Sequence, residues 1–135
     1  KYWRRGMNDK KESKRTWEQV RDEKIVVQEK IFDIQDKKRK ITNLELEIDT
    51  RYSNSTLLLN ELLYYNLSYK DEINRQTTLE QLQHTSDLLV SIIEKNKKLL
   101  QKEETAFEEK LKNLEREHKL IHLEEEKSRR KNYGY

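Results

Sequence analysis

The chain has 135 residues, 41% charged and 33% hydrophobic, with no Cys, no Pro and only two Gly, Gly6 and Gly134. Tight turns draw on Gly and Pro, so sandwiches, barrels, dinucleotide-binding folds and glycine-built phosphate loops are excluded, and an all-α chain of long helices is the expectation. A formal net charge of +3 is too near balance for a general polyanion binder, and the missing Cys removes disulfides, thiol catalysis and Cys-based zinc sites.

Residues 1–15 read as a basic polar arm. Lys1, Arg4, Arg5, Lys10, Lys11, Lys14 and Arg15 outweigh Asp9 and Glu12, around one aromatic pair, Tyr2 and Trp3. Thr16-Trp17-Glu18-Gln19 then has the capping-box spacing, in which a hydroxyl and a side chain three residues later satisfy each other's free amides. This starts a first coiled-coil segment over 16–65. Its strong column repeats every seven residues: Val20, Val27, Ile34, Ile41, Ile48, Ser55, Leu62 and Tyr69. Only Ser55 breaks the apolar run, and that periodicity selects helix over strand. The adjoining column, Trp17, Lys24, Ile31, Lys38, Glu45, Tyr52, Leu59, Asn66 and Ile73, is only about half apolar. Polar residues at such seam positions lower stability and select register or strand number.

Residues 66–78 read as a register slip or a turn. A second segment over 79–131 has its own column, Leu79, Ser86, Ile93, Leu100, Phe107, Leu114 and Ile121, which lies ten residues rather than seven beyond Tyr69. Its flank drifts from Leu82 and Leu89 on one side to Leu111 and His118 on the other, as in a fairly straight helix. Two architectures fit: one extended helical rod overwound at the slip, or a long helical hairpin. The hairpin break falls either at the weak helix formers 52–56 or at 66–71, where Ser68 and Asp71 can cap a new helix. The lack of Gly after a helix end weighs toward the rod.

The most informative segment for function is 57–69. Leu57, Leu58, Leu59, Leu62, Leu63, Tyr64, Tyr65, Leu67 and Tyr69 occupy more of the helix circumference than one neighbour can cover. They are expected to form either a docking node for protein partner helices, by self-association or hetero-oligomerisation, or the centre of a self-contained bundle. Ile25, Val26 and Val27 with Ile31 and Phe32 form a smaller overflow, in which Val26 and Phe32 fall outside the two columns; a third helix would account for them, as would scattered surface hydrophobes. The arm residues Arg4, Arg5, Lys10, Lys11, Lys14 and Arg15, with Lys127, Arg129, Arg130 and Lys131 near the other end, are candidate contacts for anionic membrane or nucleic acid.

Other features are less specific. His118 and His122 share a helical face, but Lys119 stands where a zinc protease needs Glu, and a third ligand is not evident. No metal and no cofactor is expected. Asn54-Ser55-Thr56 and Asn66-Leu67-Ser68 match a glycosylation pattern beside the apolar node, where a glycan would obstruct packing. No nucleophile–base pair or cofactor motif can be assembled, so an enzyme is not expected. The expected function is a non-enzymatic structural coiled-coil subunit that scaffolds or tethers partners in an intracellular cytoskeletal, chromosome-segregation or tethering assembly. The alternative is a helical dimerising module that contacts anionic membrane or nucleic acid through its basic ends.

Overall fold

The computed structural model describes residues 15–132. Apart from Arg15, the arm lies outside the described residues. Helix α1 spans Trp17–Glu61, a single 3-10 turn follows at Leu62–Tyr64, and helix α2 spans Tyr69–Asn132. Among the described residues there is no strand. The protein is all-α, and its two long helices pack against each other.

The capping box starts α1 as its spacing predicts. The Thr16 N–H donates to Gln19 Oε1 at 3.0 Å, and the Gln19 N–H donates to Thr16 Oγ1 at 3.1 Å. Burial along α1 follows the two predicted columns except at Trp17, which is exposed. Val20, Val27 and Ile34 are buried, while Ile41, Ile48 and Ser55 are half-buried. Ile31, Tyr52 and Leu59 of the weaker column are half-buried too, as are its charged members Lys24, Lys38 and Glu45. The periodicity selected the inward face because a 3.5-residue repeat nearly matches the helical turn.

Contacts divide the molecule into two compact units. The first joins α1 up to Asp33 with α2 from Glu104 onward. Val20, Val27 and Leu114 form its buried centre, with Ile31, Phe107, Leu111 and Ile121 packed around it. Each fully buried aliphatic side chain contributes about 1.5–3 kcal/mol relative to exposure. Its cross-helix contacts are antiparallel: the Trp17 ring lies 4.4 Å from that of His118, and Lys30 Nζ sits 5.4 Å from the Phe107 ring centre. Glu23 faces Lys110 at 3.5 Å.

The second unit, Ile34–Glu103, contains the chain reversal. It is also antiparallel, and the polar seam positions are paired rather than stranded. Lys38 Nζ donates to Gln101 Oε1 at 2.9 Å, and Glu45 meets Lys97 at 2.5 Å. Tyr52 donates to Gln83 nearer the turn. Such partners define which residues lie opposite each other, a register role polar seam groups are known to play. On α2 the covered flank follows the sequence drift in part: Leu82 is half-buried before Ile93, and Leu111 and His118 after it, whereas Leu89 is exposed.

The reversal settles the choice between rod and hairpin. The chain turns back at residues 62–68, ahead of most of the expected 66–78 segment, which is helical from Tyr69 onward. The lack of Gly proved no obstacle, because the residue after the 3-10 turn, Tyr65, is extended at φ −101 and ψ 156, a conformation open to any residue. Its N–H donates to the Leu62 carbonyl at 3.1 Å, and the Leu67 N–H donates to the Tyr65 carbonyl at 3.0 Å. Of the two candidate breaks, the one capped by Ser68 forms. Ser68 Oγ accepts from the Asp71 N–H at 3.1 Å, with Asp71 and Glu72 as acids in the first turn of α2.

Candidate protein interaction surface

The apolar segment 57–69 lies at the hairpin turn, not at the middle of a bundle. Leu57–Leu59 end α1, Leu62–Tyr64 make the 3-10 turn, Tyr65 and Leu67 lie in the connection, and Tyr69 opens α2. Only Leu59 and Leu67 are half-buried. The rest are exposed, led by Tyr64 at 91%, Tyr69 at 84% and Tyr65 at 70%. The physical reason is local. An α-helix directs one stripe to its neighbour, and a helix that ends here cannot tuck the remaining Leu and Tyr under a following turn.

The turn is clamped from behind. Arg75, whose side chain is only 9% exposed, forms two hydrogen bonds to Glu72, at 2.9 and 2.6 Å, and reaches Asn60 Oδ1 on α1 at 3.4 Å. The hydrogen bond from Arg75 holds the Glu72 carboxyl below its ordinary range. This clamp ties the end of α1 to the start of α2, so the exposed side chains sit on an anchored turn. Sequence reasoning did not identify Arg75 or Asn60, because no local spacing marks a bond across a reversal. Ile73, a member of the weaker column, is also exposed here.

The window 52–69 contains one charged residue, Glu61, in a chain that is 41% charged. Depletion of charge with enrichment of Tyr is the composition of interface centres rather than of ordinary surface.

The basic candidates are distributed differently. Arg15 is engaged inside the first unit: its guanidinium binds Glu117, with Nε donating to Oε1 at 2.9 Å, and also contacts Glu23. That hydrogen bond lowers the Glu117 carboxyl below its ordinary range against the opposing effect of burial. Lys127, Arg129, Arg130 and Lys131 are exposed at the end of α2, the last three in its final turn. Cations there complement the negative end of the helix dipole, typically by 0.3–1 kcal/mol each. Arg4, Arg5, Lys10, Lys11 and Lys14 lie outside the described residues.

His118 packs on Trp17, and its Nε2 is buried without a hydrogen-bond partner, whereas His122 lies 3.5 Å from Glu126. Among the described residues, no group of three or more His, Cys, Asp or Glu is placed to hold a metal ion. No described helix is long and apolar enough to cross a membrane. No family model, curated protein or solved structure matches the chain.

Proposed function

We propose that this chain is a non-enzymatic structural subunit, a helical hairpin whose turn docks protein partner helices in a larger assembly. The observation that carries this reading is the clamped turn with Tyr64, Tyr65, Tyr69, Leu57, Leu58 and Leu63 exposed together. An exposed apolar cluster rimmed by polar surface marks an interaction site. Tyr and Leu on an anchored turn lose little conformational freedom on binding, which favours affinity. A chain without Cys suits the reducing interior of a cell, where cytoskeletal, chromosome-segregation and tethering assemblies of helical proteins reside.

The membrane or nucleic-acid alternative has less support. Arg15 already has two carboxylate partners, and the α2 terminal cluster has an adequate explanation in the helix dipole.

The test is site-specific photocrosslinking in the source cell. A photoreactive residue replacing Tyr64 is expected to yield a discrete protein adduct that Leu63→Asp abolishes, while the same residue replacing Asp49 yields none. Adducts to lipid or nucleic acid alone, or a Tyr64 adduct insensitive to Leu63→Asp, would sink the reading.

A further inference from the structure

We draw no further inference here: the strongest candidate, the groove beside Arg15 that Glu117, Leu120, Ile121, Glu124 and Glu125 line near the end of α2, carries nothing, because nothing in the structure shows what covers it.

Discussion

Replacing Leu114 by Ala tests the antiparallel seam where it is most buried. Leu114 is 3% exposed and packs with Val20 and Val27, which lie on the other helix, and with Phe107, Leu111 and Ile121 nearby. Leu→Ala in a core costs about 2–5 kcal/mol, depending on how far the surroundings collapse into the space. Only three residues of this cluster are buried, so water and neighbouring side chains can reach the gap, and the lower part of that range, about 2–3 kcal/mol, is expected. Leu120, on the same helix and 60% exposed, is the control, where Leu→Ala should change stability by no more than about 0.5 kcal/mol. Urea unfolding followed by circular dichroism, at one fixed protein concentration, gives both values. A marginally stable domain has about 5–15 kcal/mol in total, so the difference is easily resolved. Equal costs for the two substitutions would mean that α1 does not cover Leu114 and that the pairing in this unit is wrong.

Three further outcomes follow from single contacts. Arg15 holds Glu117 ionised below its ordinary range. A depressed carboxylate adds stability above its unfolded pKa of about 4.3, and that stability is lost as pH falls through the folded value. Melting temperature should therefore fall more steeply below about pH 4.3 in the wild type than in Arg15→Ala; equal slopes would remove the ion pair from the solution structure. Thr16→Ala removes the capping-box hydroxyl that accepts from the Gln19 N–H and should cost about 1 kcal/mol, seen as faster hydrogen exchange at the Gln19 amide; unchanged exchange there would show the cap is not formed. Ser68→Ala removes the acceptor for the Asp71 N–H and should cost a similar ~1 kcal/mol, with faster exchange confined to the first turn of α2.

Much of the helical architecture was legible in the residues because it is local. The Thr16–Gln19 box, the sevenfold column from Val20 to Ser55 and the column from Leu79 to Ile121 each predict which face of a helix is covered. Burial follows them residue by residue. The ten-residue offset between the columns does not itself contain the reversal: the chain turns at 62–68, so Tyr69 and Leu79 both lie on α2. The candidate surface was legible too, as an excess of Leu and Tyr over what one stripe can bury.

The seam pattern does not say what it faces. An apolar column is equally satisfied by a second copy in a continuous rod or by the chain's own return, and the missing Gly and Pro favoured the wrong one of these. Tertiary structure decided it through pairings invisible to spacing: Glu45 with Lys97, Lys38 with Gln101 and Arg75 with Glu72 and Asn60. These polar groups find their partners across the antiparallel hairpin. The hairpin also turned segment 57–69 from a stretch within a helix into an exposed turn. The sequence by itself determined long helical segments and their inward faces, because helix and face depend on residues a few positions apart. The reversal and the level of each cross-helix pair depend on groups tens of residues apart, and only folding brings those together.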